Sequence, residues 1–184
     1  MANVLVPLAQ GCEELEAVTV VDLLRRAGIE VVTAGLDEQP VRASRGVVLL
    51  PDMTLDSALQ KEYDMIVLPG GLPGADHLRD DERIIDLLRS MSAAGKYTAA
   101  ICAAPRVLAQ AGLLAGKRAT SYPGTLQTDS IPGLDYRDTA VVIDGTVITS
   151  RGPGTAMDFA LSLIELLAGK QKRDEVEAGL QRAS

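Results

Sequence analysis

The sequence contains no tryptophan and one phenylalanine in 184 residues. A core built on stacked aromatic rings is therefore excluded, and the interior has to come from Val, Leu, Ile and Ala. Such an interior suits parallel strands covered by helices on both faces. Basic residues are in deficit, with 18 Lys and Arg against 25 Asp and Glu, for a net charge of −7. No Lys/Arg run or aromatic-basic stripe compensates locally, so electrostatic binding of nucleic-acid phosphates is not expected. The two cysteines, Cys12 and Cys102, are too few for a disulfide framework or a four-ligand zinc site. A reducing compartment keeps both as thiols. No apolar run approaches membrane-spanning length, and the opening "MANVLVPLAQG" lacks a basic leader and turns acidic at "CEELE". A soluble, cytoplasmic chain with no membrane partner is expected. No Ser-, Pro- or charge-rich linker interrupts the apolar segments, so residues 1–184 read as one domain.

What is present is an alternation. Strand-like runs "NVLVPLA", "IEVVTAG", "DMIVLPGG" and "YTAAIC" alternate with amphipathic runs, Glu14 to Ala27 and "RIIDLLRSMSAAG" among them. Right-handed crossovers then imply an α/β sandwich with a mostly parallel sheet and helices on both faces. "QPVRASRGVVLLPD" reads as a small β excursion turning at Arg45-Gly46. "AVVIDGTVITS" reads as a hairpin with a type I′ turn at Asp144-Gly145. The run "GPGTAMDFALSLIELLAGK" reads as a helix with Pro153 and Gly154 at its start and Gly169 at its stop, and "KRDEVEAGLQ" as a weaker one.

In an open α/β sheet, ligands bind beyond the carboxyl ends of the strands. Three such junctions carry chemistry: "AQGCEELEAV", "PGGLPGA" and "CAAP". The glycine-rich piece matches neither a P-loop nor a dinucleotide fingerprint; its expected use is to bring backbone N–H groups close to an oxyanion. On the first helix the apolar stripe runs through Val20, Leu23, Leu24 and Ala27, and Glu16 falls within it, roughly 40° from Val20. Glu14 is expected to point well away, and Glu13 to serve the helix start as a cap or dipole partner. A carboxyl on a buried face has to be hydrogen-bonded or protonated, because burial raises its pKa. A protonated Glu16 could donate to a Cys102 thiolate, and the apparent pKa values would then belong to the pair. A helix starting near Pro105 also favours the thiolate.

Other candidates read less sharply. His77, the sole histidine, sits in a polar stretch and is expected at the surface. A Cys12–Cys102 disulfide is not expected, since lying at one sheet edge does not supply the geometry. Arg45 and Arg151 flank glycines and could reach an anion, although surface salt bridges are the commoner fate of such residues.

With "GCEELEAV", "SRGVVLLPD", "YDMIVLPGG", "AAICAAP" and "TSRGPGT" in this order, the sequence resembles the ThiJ/PfpI superfamily, in the branch of YajL and the Parkinsonism-associated deglycase. The resemblance implies a flavodoxin-like three-layer sandwich, a homodimer joined through the first helix and the β excursion, and no metal or organic cofactor. It carries over Cys102 as nucleophile, Glu16 as its protonated partner, and the backbone N–H groups of Gly71 and Ala103 as oxyanion donors. Gly70, Arg45, Tyr122 and Arg151 join them as substrate-binding candidates. The implied activity is glutathione-independent conversion of methylglyoxal or glyoxal to hydroxy acids, or deglycation of their adducts, with reactive aldehydes or glycated adducts as partners. Peptidase branches carry a histidine directly after the nucleophile. Ala103 stands there in this chain, which argues against peptidase chemistry. Some deglycase-branch members carry a histidine where this chain has Tyr122, a poor general base near neutrality. Two further readings stay open: Cys102 as a peroxide sensor or chaperone switch oxidised to sulfinate, and Cys102 as an inert buried thiol.

Overall fold

A computed structural model describes residues 2–182. The chain begins with β1 (Asn3–Leu8), α1 (Glu14–Arg26) and β2 (Glu30–Gly35). A two-stranded excursion follows, β3 (Val41–Arg42) antiparallel to β4 (Val48–Leu49), turning at Gly46 with φ +97°. Next come β5 (Met53–Thr54), α2 (Leu55–Ala58), β6 (Met65–Leu68), α3 (Gly74–Asp80), α4 (Glu82–Ala93) and β7 (Tyr97–Ile101). The last third holds α5 (Pro105–Gln110), β8 (Arg118–Ala119), β9 (Asp135–Tyr136), β10 (Val141–Asp144), β11 (Val147–Ser150), α6 (Ala156–Ala168) and α7 (Lys170–Gly179).

Seven strands form one sheet in the order β10-β11-β7-β6-β1-β2-β5, parallel except for the β10–β11 hairpin. Alternation along β1 explains the layers, because successive strand side chains point to opposite faces. Val4 and Val6 pack beneath α1 and α6 with Val20, Leu24, Phe159 and Leu163. Leu5 faces the other layer, with Leu78, Ile84, Leu88 and Leu108. The Val/Ile/Leu/Ala core expected from composition thus fills both faces.

One local expectation is corrected, and one stretch goes beyond the sequence reading. In the β10–β11 hairpin Asp144 still pairs with Val147, so the two-residue turn is Gly145-Thr146. Positive φ falls on Gly145 and not on Thr146, the pattern of type II′ rather than I′. Secondly, β5 and α2 within residues 53–58 carry too few residues for a period to show, and sequence reading passes over both. Among the described residues no helix is long and apolar enough to cross a membrane.

Candidate active site

β7 delivers Cys102 at the carboxyl edge of the sheet in a left-handed conformation, φ +62°. For a residue with a Cβ this costs about 1–2 kcal/mol, so the surroundings have to hold it. Its N–H donates to the Ser150 carbonyl at the end of β11 (3.0 Å), and its carbonyl accepts from the Tyr122 N–H (2.8 Å). The Thr125 hydroxyl approaches the same carbonyl at 3.4 Å. Both peptide groups of the elbow are thereby fixed. The side chain is 9% exposed.

Beneath the elbow lies Glu16, inside the apolar stripe of α1 and 0% exposed. Its Oε2 accepts the Gly70 N–H at 2.8 Å, while Oε1 is buried without a hydrogen-bond partner among the described residues. Gly70 has to be glycine, because a Cβ there would stand 2.6 Å from the Cys102 Cβ and 2.7 Å from Glu16 Oε2. Gly71 (φ +85°) is equally constrained: its Cβ would fall 2.5 Å from the Glu13 nitrogen. These glycines therefore press the loop after β6 against the loop after β1, tied by the Glu13 N–H to the Gly70 carbonyl at 2.9 Å.

Burial lifts the Glu16 carboxyl to about 7, against the Gly70 N–H and a Cys102 contact that favour its charged form; the charge of Glu13 raises it further. Burial also pushes the Cys102 thiol up to about 12, and the charge of Glu16 adds to the rise. The backbone N–H groups of Gly71 and Ala103 pull it down. The thiolate expected from sequence is therefore opposed by desolvation. α5 is only six residues long, too short for a strong dipole at the sulfur. Burial disfavours the charged form of both groups, and the site's first ionisation belongs to the pair rather than to either residue.

Glu14 corrects the helical-wheel reading. It is buried at 9% exposure, its carboxylate accepting the Arg45 N–H at 3.0 and 3.1 Å and the Val47 N–H at 3.4 Å. Burial opposes its charged form, but its own backbone N–H, those of Arg45 and Val47 and the Ser44 hydroxyl hold its carboxyl below the ordinary carboxylate range. The wheel finds only the face toward the sheet; the β3–β4 turn covers the start of α1 from outside. Glu13 makes no side-chain cap and instead accepts the Ser44 hydroxyl at 2.7 Å.

Arg45 itself is exposed, and what it contributes is the backbone N–H on Glu14. Arg151 pairs with Asp138, and its own N–H donates to Ala140. Neither guanidinium is bonded to Cys102 or Glu16. Tyr122 is at the elbow through its backbone, with a side chain 49% exposed. His77 lies on the surface of α3 as expected, lining with Asp80 and Asp81 a cavity of about 400 Å³ that excludes Cys102. Cys12 is a buried free thiol, pushed up to about 11 by burial. Cavities of about 510 and 300 Å³ are also lined by other residues. Among the described residues no three His, Cys, Asp or Glu side chains converge to hold a metal ion.

A buried acid under a strained cysteine, walled by glycine backbone, can be compared with known proteins. The profile of the DJ-1/PfpI family matches residues 2–166. The chain belongs to that family. It is 47% identical to Protein dj-1beta of Drosophila melanogaster over 97% of this chain and 96% of the other. A solved Drosophila DJ-1beta structure superposes with a TM-score of 0.93, at 46% identity, covering 100% of this chain and 99% of that one. Glutathione-independent glyoxalase DJR-1.2 of Caenorhabditis elegans is 37% identical over 95% of this chain and 92% of its own length. Some relatives are much longer: the chain spans 39% of Protein DJ-1 homolog B of Arabidopsis thaliana.

The fold is thus the flavodoxin-like sandwich of the DJ-1/PfpI family. Within this family architecture Ser150, Thr125 and Ser44 are the residues that sequence reading missed. Ser150 acts through its carbonyl, and backbone groups leave no signature in residue type. Ser44 stands beside Arg45 in the quoted "SRGVVLLPD" motif, which was its only trace.

Proposed function

We propose that the chain is a cofactor-independent glyoxalase acting on α-oxoaldehydes or their early adducts, with Cys102 as nucleophile and Glu16 as proton carrier. The observation that carries this is the fully buried Glu16, tied to the Gly70 N–H at 2.8 Å beneath the elbow. A relative named as a glutathione-independent glyoxalase supports the reaction class.

The Cys102 thiolate adds to the aldehyde carbon, and the carbonyl electron pair moves to oxygen. Gly71 and Ala103 N–H groups stabilise that alkoxide, and Glu16 protonates it to a hemithioacetal. Glu16, now a carboxylate, takes the proton from the former aldehyde carbon to give an enediolate and returns it to the neighbouring carbon, while the hydroxyl proton on the first carbon passes to the oxygen of the second. The product of this internal redox shift is a thioester. Water hydrolyses it, giving the hydroxy acid and restoring the thiol. A carboxyl near 7 can give and take protons at neutral pH, unlike an ordinary carboxylate.

The same reading makes the chain a homodimer joined through α1 and the β3–β4 excursion. Leu15, Val18, Val47, Val48 and Leu50 are exposed there, and Val18, Val21, Leu49 and Leu50 line one cavity of about 300 Å³. An apolar face of this kind suits a protein surface.

The test is lactate formation from methylglyoxal. Wild type is expected to turn over, Cys102→Ser to lose turnover and Glu16→Gln to lose most of it. Full turnover by Cys102→Ser refutes the mechanism. Absence of turnover in wild type, with Cys102 gaining two oxygens in mild peroxide, replaces it with the redox-sensor reading.

A further inference from the structure

The charged form of Cys102 is favoured by two backbone N–H groups from different segments, Gly71 in the loop after β6 and Ala103 on the elbow itself. Each of these segments runs straight into a helix. The Gly71 carbonyl accepts the Ala75 N–H at 2.9 Å as α3 begins, and the Ala104 carbonyl accepts the Val107 N–H at 2.8 Å as α5 begins. The spacing of the two donors is therefore tied to the spacing of the two helix heads. Contact at Gly70 limits how closely the loop approaches Cys102. It does nothing to stop the two from parting.

One side chain spans that gap. Arg106, the second residue of α5, donates from Nη1 to Asp76 Oδ1 on α3 at 2.7 Å and from Nη2 to the Thr125 carbonyl at 2.9 Å. Thr125 belongs to the turn that holds the elbow: its N–H donates to the Tyr122 carbonyl at 3.1 Å, and the Tyr122 N–H donates to the Cys102 carbonyl at 2.8 Å. Residues 71–76, 102–106 and 122–125 thus meet on one guanidinium. The Arg106 side chain is 22% exposed and that of Asp76 34%, so water competes less than at an open surface pair. Arg106 Nε is buried without a partner among the described residues, a desolvation cost borne for two bonds whose directions a planar guanidinium fixes. Asp76 Oδ1 also meets Arg79 Nη1 at 2.9 Å, but the other partner of Arg79 is Asp80, within α3 itself.

From this we infer that Arg106 is a positioning residue that clamps α3 and the 122–125 turn to the Cys102 elbow, fixing the Gly71 and Ala103 N–H groups around the sulfur. The inference rests on the reading of Cys102 as nucleophile and holds for whichever electrophile that sulfur attacks. The clamp works by geometry. A lysine keeps the charge but presents a single nitrogen in place of two fixed ones. Arg106 and Thr125 also line the cavity of about 510 Å³, so truncating Arg106 enlarges an existing polar space rather than opening a void in the core.

The test is alkylation by iodoacetamide from pH 5 to pH 10, followed at Cys102 by peptide mass, with urea unfolding in parallel. Wild type is compared with Arg106→Ala, Arg106→Lys, Asp76→Ala, the double alanine variant and Arg79→Ala. Arg106→Ala is expected to move the inflection up by about one pH unit, tenfold slower alkylation on its acid side, the scale of one weakened hydrogen bond to a charged sulfur. Arg106→Lys and Asp76→Ala should move it in the same direction, and the double variant no further than Arg106→Ala, because the contact is already gone. Arg79→Ala should leave it in place. Should Arg106→Ala fail to fold, Arg106→Lys and Asp76→Ala carry the same comparison. Variants that lose urea stability while the inflection stays where it is overturn the clamp, leaving Arg106 a staple between helices. It is equally overturned by Arg106→Lys titrating as wild type, or by Arg79→Ala shifting as far as Arg106→Ala, since charge would then be the cause. A wild-type Cys102 inert to iodoacetamide at every pH refutes the nucleophile reading and the clamp with it. A reactive Cys102 without methylglyoxal turnover refutes the oxoaldehyde reading alone, and the inflection still decides the clamp.

Discussion

Replacing Glu16 by glutamine changes the ionisation of Cys102, and the sign of the change decides which atom of the pair carries the charge. Glutamine keeps the shape and an oxygen for the Gly70 N–H but can neither lose nor donate the carboxyl proton. In wild type the pair's first proton leaves near pH 7, the value to which burial lifts the carboxyl. If sulfur takes the resulting charge, as the mechanism requires, about half the sites hold a thiolate at pH 7. In Glu16→Gln the thiol titrates alone, and burial keeps it above its ordinary 9.0. The thiolate fraction at pH 7 is then about one in a hundred or less, by the tenfold change per pH unit. Alkylation of Cys102 by iodoacetamide, followed from pH 5 to pH 10 by intact mass, should lose its inflection near 7 and slow about fiftyfold at pH 7. The opposite arrangement places the charge on Glu16, whose field helps to hold the thiol near 12. Removing the carboxylate would then speed alkylation at pH 8. Faster alkylation in Glu16→Gln refutes the shared-proton thiolate.

Three further outcomes follow from the same geometry. Gly70→Ala forces a methyl within 2.6 Å of the Cys102 Cβ, and urea unfolding should show a loss of about 1–3 kcal/mol; a change below about 0.5 kcal/mol would mean the loop shifts freely. Glu14 has a folded pKa below its ordinary 4.5, so its grip on the β3–β4 turn is complete at neutral pH and disappears as pH falls through the folded value. Hydrogen exchange at the Arg45 and Val47 amides should show wild type better protected than Glu14→Gln at pH 7 and equal to it in strong acid; equal protection at both would remove the role given to Glu14. Leu50 is 80% exposed on the apolar face beside α1, and Leu50→Asp should convert a dimer to a monomer in size-exclusion light scattering. A monomeric wild type contradicts the dimer.

Much of the site was readable because short-range patterns encode it. The helical period put Glu16 among Val20, Leu23 and Leu24, and the strand-edge rule put Cys102 beside the glycine loop. Glu14 shows where the same reasoning stops. A helical wheel registers one buried face, whereas the β3–β4 turn buries the opposite side of the first turn through Arg45 and Val47 amides. Arg151 illustrates a second limit, since Asp138 lies 13 positions away and pairing between two charges has no period.

Residue order and composition were sufficient for the parallel α/β sandwich, for the β1-α1-β2 unit and for the choice of Cys102 over Cys12 as the reactive candidate, because apolar periodicity is a local property of the chain. The left-handed elbow at Cys102 and the clash that reserves position 70 for glycine emerged from packing alone. Both depend on contacts between segments far apart in the chain, Cys102 with Ser150 and Gly70 with Glu16 and Cys102, and such contacts leave no local period in the sequence.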